Sequence, residues 1–470
     1  MGGDEHTIVA FGLAVGVVMG IRLMNSPRTA VAGNLLGASA VLGAIILTLG
    51  THGVMTHGVI LGSLAVGAVI GYVLAVRVAM IQMPQLVALL NGLGGAASAL
   101  VPLSLLYEQT LVPSLVARLS SALAISVGGF TFAGSSIAAA KLDRRIPQRP
   151  VVITNYGIWA FTACLAMAIF TVVILGSSSW LALGAALLLL INVSGFGVVF
   201  ALRIGGADMP VGICLLNALS GLAAAIAGFA VGDLLLVAAG AIVGTSGLIL
   251  TRIMCRAMNR DLVAILTGRG VAAIGGVPAD EVAQAASVAP VQTAEASVGR
   301  PSLDSVLHDA KDVIIVPGYG MALAQAQHEV KRLADALEAR GNTVRFAIHP
   351  VAGRMPGHMH VLLAEADVPY EKFLDMDAIN DSFKDADLSI IVGANDVVNP
   401  AASTAEGTPI YGMPVLRAGE AGHVIVCNLD AQPGYCGVAN PLYQQKNVTL
   451  CFGDAKEQLS DLIRRLSDAS

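Results

Sequence analysis

The sequence predicts two folds in series: a polytopic all-α membrane domain of nine helices, then an α/β domain built on a doubly wound parallel sheet. Three observations carry this. Mean hydropathy is +0.75 and only 13% of the residues are charged, against about 25% in a soluble domain. Nine apolar runs, each long enough to cross about 30 Å of hydrocarbon, fill the first 260 residues. From residue 302 onward, short β-branched runs alternate with helical stretches, the pattern of a parallel sheet covered on both faces.

The apolar runs lie near residues 7–24, 30–50, 57–76, 84–107, 115–139, 151–175, 180–202, 209–231 and 234–254. The loop charges support the count. Every second loop is basic: Arg22 and Arg28; Arg77; Lys141, Arg144, Arg145 and Arg149; Arg203; Arg252, Arg256 and Arg260. The alternate loops carry His52, His57, Glu108, Ser177 to Ser179 and Asp233, with Arg118 the exception. By the positive-inside rule the N-terminus is outside and the C-terminal domain cytoplasmic. The first run lacks a basic lead and a cleavage site, so it reads as a retained helix and not a signal peptide.

No Asp, Glu, Lys or Arg falls near the middle of any expected span. The polar residues at depth are Asn91, Asn192, Asn217, Ser220, Thr245 and Ser246. Small residues recur at four-residue spacing, at Gly33/Gly37, Gly58/Gly62, Gly67/Gly71 and Gly240/Gly244, which suits close helix packing. Asn91 and Asn217 lie in runs of small residues that leave room for water, yet neither titrates. A proton route through them needs a charge-changing group from elsewhere.

The expected boundaries are 1–260 for the membrane domain, 261–301 for an Ala-, Gly-, Ser- and Pro-rich linker, and 302–470 for the soluble domain. The net charge of −5 belongs to that acidic tail and argues against nucleic-acid binding. The six cysteines form no C-x-x-C pair, so neither disulfides nor a metal site is expected.

In the tail, a short helix over 302–311 precedes a strand over 313–316. Gly318-Tyr319-Gly320 then leads into a helix expected over 321–340 and closed by Gly341. Further strands are expected at 344–349, 388–392, near Val415, and at 423–427 and 448–452, with helices over 358–366 and 455–467. A glycine turn between strand and helix suits a pyrophosphate, although Leu323 stands where the general fingerprint wants Gly or Ala, and an ordinary sheet turn is the alternative. Three more loops belong to the edge where ligands bind in such sheets. They carry Arg354, then Gly393, Asn395 and Asp396, then Asn428, Leu429, Asp430, Gly434 and Tyr435. Arg354 suits phosphate oxygens, Asp396 suits a ribose or amide donor, and Tyr435 sits on a glycine-hinged loop.

Several long motifs here resemble the beta subunit of the proton-translocating nicotinamide nucleotide transhydrogenases. They include V-I-I-V-P-G-Y-G-M-A-L-A-Q-A-Q, I-H-P-V-A-G-R-M-P-G-H-M-H, G-A-N-D-V-V-N-P-A, G-Y-C-G-V-A-N-P-L and L-C-F-G-D-A-K in the tail, with M-P-Q-L-V-A-L-L-N-G, G-G-A-D-M-P-V and M-C-R-A-M-N-R in the membrane half. The resemblance covers nearly the whole chain. It implies direct hydride transfer between NAD(H) on a separate alpha subunit and NADP(H) on this tail, coupled to proton movement and needing no side-chain nucleophile or base. It also implies a dimer of alpha–beta units in the lipid of a bacterial inner membrane. By position, Gly318, Tyr319, Gly320, Met321 and Ala322 form the pyrophosphate turn, Arg354, Asp396 and Tyr435 contact or gate the nucleotide, and Asn217, Ser246 and Asp208 join Asn91 along the proton route.

Two departures stand out. Asn91 occupies a position where many members carry a titratable histidine, so either the alpha subunit supplies that group or the route lacks it. Asn428-Leu429-Asp430 replaces a Lys-Arg-Ser that grips the 2′-phosphate of NADP, which points to NAD(H) as a possible ligand of the tail. Arg417 and Lys446 are the cations nearby in sequence that could reach the phosphate instead. The rival reading is a transporter or channel whose cytoplasmic domain only senses a nucleotide.

Overall fold

The computed structural model describes residues 3–24, 26–51, 58–78, 82–108, 114–143, 145–147, 151, 153–177, 180–205, 208–257, 262, 303–354, 357–408, 410–434 and 436–468. The expected linker, Leu262 apart, lies outside these residues, as do Tyr435 and the loop residues His52, His57, Arg144, Arg149, Ser178, Ser179 and Arg260. The chain divides into two compact units, one made of Met1–Gln148, Ile153–Leu202 and Gly212–Thr251, the other of Arg149–Val152, Arg203–Val211 and Arg252–Ser470.

The described residues of the N-terminal half form α1 (Gly3–Leu23), α2 (Pro27–Thr51), α3 (Gly58–Arg77), α4 (Met83–Glu108), α5 (Leu115–Leu142), α6 (Tyr156–Gly176), α7 (Trp180–Arg203), α8 (Met209–Val231) and α9 (Leu234–Ala257). Eight of them are long and apolar enough to cross a bilayer, and α1 has a shorter apolar stretch, Ile8–Leu23. With so many such helices, this is a membrane protein.

Glycines set the closest helix approaches, because hydrocarbon offers helices little reason to associate beyond shape fit. A Cβ on Gly95 of α4 would meet the Gly128 carbonyl of α5 at 2.9 Å, and one on Gly240 of α9 would overlap the Ala225 amide of α8. By contrast, Gly58, Gly62, Gly67 and Gly71 on α3 have nothing within 4 Å, so the expected packing role of that glycine pattern is absent among the described residues. Several hydroxyls in the spans satisfy themselves on carbonyls one turn back, as Ser126 does on Ala122 and Thr131 on Val127. Arg118, the exception among the loop charges, donates to the carbonyls of Leu175 and Ser177 at 3.2 and 2.8 Å. There it caps the C-terminal end of α6, where a cation suits the helix dipole.

The tail comprises α10 (Leu303–Asp309), β1 (Asp312–Pro317), α11 (Tyr319–Ala324), α12 (Gln327–Ala339), β2 (Thr343–Ile348), α13 (His358–Glu365), β3 (Phe373–Asp375), α14 (Met376–Ile379), β4 (Leu388–Val392), α15 (Ala401–Thr404), β5 (His423–Asn428), β6 (Val448–Phe452) and α16 (Ala455–Asp468). The sheet is parallel throughout, in the order β3-β2-β1-β4-β5-β6, a doubly wound Rossmann-like sheet. Alternation along β1 builds both layers. Val313 and Ile315 join Val330, Leu333 and Leu337 of α12 and Leu459 and Leu462 of α16, while Ile314 and Val316 join Phe383, Val424 and Leu442 on the other face.

Three details depart from expectation. The helix expected over 321–340 is two helices, broken where Gln325 adopts φ 51°. The strand expected near Val415 is absent; the Val415 carbonyl instead accepts from the Asn380 side chain at 3.0 Å. The edge strand β3 went unread, being three residues paired with β2.

Candidate functional site

The order of strands reverses between β1 and β4, where doubly wound sheets open a crevice at the carboxyl ends of the strands. There the backbone amides continue the ladder beyond the strands. Gly318 N–H donates to the Val392 carbonyl (2.8 Å), Gly320 N–H to Gly393 (2.8 Å), Gly393 N–H to Cys427 (2.9 Å) and Gly453 N–H to Asn428 (3.0 Å). The turns after β1 and β4 touch backbone to backbone. A Cβ on Gly318 would overlap the Gly393 carbonyl, and one on Gly393, whose φ is +67°, would overlap the Met321 amide. Gly318 and Gly320 thus make a joint with the next loop through their own amides, a constraint that comes before any phosphate. Met321 and Ala322 are buried in the short α11 that follows.

The loop after β2 folds onto this joint. The Arg354 guanidinium lies 4.7 Å from the centre of the Tyr319 ring, and Arg354 is 8% exposed. Its backbone N–H donates to His358 Nδ1 at 3.1 Å. A Cβ on Gly353 (φ +105°) would overlap the His358 ring, so this position requires glycine. His349 accepts from the Val351 N–H at Nδ1 (3.2 Å), which leaves Nε2 to donate to the Pro414 carbonyl at 2.9 Å. Burial lowers both histidines to about 4, helped at His358 by the Arg354 charge and opposed at His349 by the bond to Pro414.

Both rings stay neutral in the fold but charge near pH 6.5 when exposed, so folded-state stability is lost as pH falls from 6.5 toward 4, by up to about 3 kcal/mol for each ring. His349→Gln should flatten that slope in calorimetric unfolding of the full chain between pH 7 and 5; an unchanged slope would show that His349 does not titrate on unfolding.

Beyond β4, Asn395 and Asp396 hold the loop that carries Gly434. Asn395 Nδ2 donates to the Gln432 carbonyl at 2.9 Å, while Asp396 accepts from the Cys436 N–H at 3.0 Å and from its thiol at 2.9 Å. A Cβ on Gly434 would overlap the Asp396 carboxylate. Burial, with Asp396 beside it, pushes the Cys436 thiol up to about 12. Asp396 is therefore bonded to the backbone amide and thiol of Cys436. At the end of β5, Asn428 is 7% exposed, and its Nδ2 donates to the Tyr443 hydroxyl (2.7 Å) and the Ala394 carbonyl (2.9 Å). Its Oδ1 is buried with no partner among the described residues. Leu429 is 76% exposed and Asp430 is exposed.

In the membrane unit, Asn91 on α4 donates to Ser135 of α5 at 2.9 Å, and Ser220 of α8 donates to the Asn91 carbonyl at 3.3 Å. Asn217, one turn before Ser220, and Ser246 on α9 are exposed, and among the described residues no hydrogen bond joins either to Asn91. Asp208 immediately precedes α8, its amide bonded to the Gly205 carbonyl at 3.1 Å. Sequence reasoning missed Ser135 and Tyr443; hydropathy does not say which small polar residue faces which helix.

These features define a class: a helical membrane protein that carries a doubly wound, dinucleotide-type domain. The model of one family, the NAD(P) transhydrogenase beta subunit, matches residues 6–465. NAD(P) transhydrogenase subunit beta of Rhodospirillum rubrum is 39% identical over 465 residues, covering 96% of both chains, and a second sequence of that name and species matches equally. The chain belongs to the NAD(P) transhydrogenase beta subunit family. Membership implies an alpha-subunit partner and a family chemistry that uses NADP(H).

Proposed function

We propose that this chain is the membrane and nucleotide-binding half of a proton-translocating transhydrogenase, with a pyridine dinucleotide on its tail and NAD(H) on a partner alpha subunit. The observation that carries the reading is the glycine joint at the β1/β4 reversal, in a chain matched over residues 6–465 by the family. When bound, the dinucleotide supplies the ring that gives up or accepts hydride. The protein's part is placement and electrostatics. Gly318, Gly320 and Gly393 fix the floor of the crevice, with Tyr319 and Arg354 stacked beside it. Asn395 and Asp396 position Gln432 and Cys436 beside the end of β4. The neutral groups of Asn91, Ser135 and Ser220 can pass or hold a proton through hydrogen bonds but not keep its charge, so the titrating partner comes from outside this trio. Asn217, Ser246 and Asp208 extend the route toward other elements. In this reading the N-terminus is outside, residues 302–470 face the cytoplasm of a bacterial inner membrane, residues 261–301 link the two domains, and two alpha–beta units pair.

The test is hydride transfer in detergent. The full chain mixed with its alpha subunit should move hydride from NADH to an acetylpyridine analogue of an oxidised dinucleotide, and neither subunit alone should do so. Absence of transfer with every pyridine dinucleotide pair would refute the proposal.

A further inference from the structure

We propose that the tail site prefers a dinucleotide with a free ribose 2′-hydroxyl, NAD(H), over its 2′-phosphorylated counterpart, and that Asp430 is the residue that selects it. This rests on the tail being a dinucleotide site. The glycine joint fits a dinucleotide of either kind; the end of β5 does not fit a 2′-phosphate. Asn428 turns inward onto Tyr443 and Ala394, and Leu429 is apolar. Asp430 is thus the first polar side chain that β5 offers to a ligand, and its Oδ1 is held in place by the Gln432 N–H at 2.9 Å. Among the described residues, the loops from Gly393 to Pro400, Asn428 to Asn440 and Gly453 to Lys456 carry the carboxylates of Asp396, Asp430 and Asp454 against the single ammonium of Lys456. The field is already acidic, since Asp396 and Asp430 add to burial in pushing the Tyr443 hydroxyl up to about 12.

The cations nearest in sequence stand elsewhere or are engaged. Arg417 precedes β5 and pairs with Asp381 at 2.5 Å and Glu420 at 3.7 Å. Lys446 precedes β6, on the amino edge of a parallel sheet, roughly 16 Å of strand from the carboxyl edge. Arg354 is buried over Tyr319, and the Lys456 backbone amide lies on Asp454 at 2.8 Å. A 2′-phosphate adds about 1.5 to 2 negative charges, which carboxylates repel, whereas a 2′-hydroxyl donates a hydrogen bond to one.

The experiment titrates the detergent-solubilised full chain with NADH and with NADPH, following nucleotide fluorescence. The wild-type chain should bind NADH at least tenfold more tightly than NADPH. Asp430→Ser, whose hydroxyl can still accept from Gln432, should cut that ratio at least tenfold; Asp430→Asn, of the same size, should cut it too and serves if the serine variant folds poorly. Equal or tighter NADPH binding by the wild type overturns the preference and leaves the dinucleotide reading standing. A preference for NADH that both variants keep overturns the role of Asp430. Binding of neither nucleotide overturns the dinucleotide reading itself.

Discussion

Gly393→Ala is expected to abolish dinucleotide binding and to destabilise the tail by about 4 kcal/mol, the sum of left-handed backbone strain and overpacking. The new Cβ has nowhere to go. It would overlap the Met321 amide and press on Gly320, so the turns after β1 and β4 must part and the bond from Gly320 N–H to the Gly393 carbonyl must lengthen. Gly318→Ala meets the same joint from the other side, against the Gly393 carbonyl. Gly341→Ala is the control. Gly341 also has a positive φ, +91°, but open space around it, so alanine there should cost only about 1 kcal/mol of strain and leave binding intact. Nucleotide fluorescence and thermal unfolding of the full chain read both effects, and wild-type affinity in Gly393→Ala would show that the joint is not part of the site.

Asn91→Leu is expected to leave dinucleotide binding by the tail unchanged while lowering the protons moved per hydride at least tenfold. The side chain of Asn91 bridges α4 to α5 through Ser135, and leucine keeps the same branched set of four heavy atoms without a polar group. Ser135 can turn back to a carbonyl of its own helix, as neighbouring Ser136 does on Phe132, so the stability cost should be only about 1 kcal/mol. Vesicles holding the variant with its alpha subunit, assayed for pH change and hydride transfer together, give the ratio; an unaltered ratio would remove Asn91 from the route.

Much of this architecture was legible because long apolar spans and short β-branched apolar runs are large signals. The membrane spans and the strands β1, β2, β4, β5 and β6 follow from them directly. The misses have physical causes. Gln325 enters the left-handed region with no glycine or proline to announce it; the following Ala326 is fully buried and its N–H donates to the Met321 carbonyl at 3.0 Å, so packing imposes the break. Phe373–Asp375 is too short a strand to show a period. At the site, residue type picked out loops that lie at the carboxyl ends of the strands but not the direction of each side chain. Asn428 looked like a ligand contact and is turned into the fold, whereas Asp396 met the amide of Cys436. Depth within an apolar, small-residue run named Asn91 without naming Ser135, because it places a residue in a span and not the neighbour across it.

The account depends on the nucleotide chemistry of the tail being tied to proton movement through an uncharged seam in the helices. The most direct measurement places the wild-type chain and its alpha subunit in sealed vesicles and records internal pH while hydride passes between dinucleotides. The account predicts a pH change that starts and stops with hydride transfer and disappears when a protonophore is added. Hydride transfer at full rate with no pH change across the vesicle wall would contradict it.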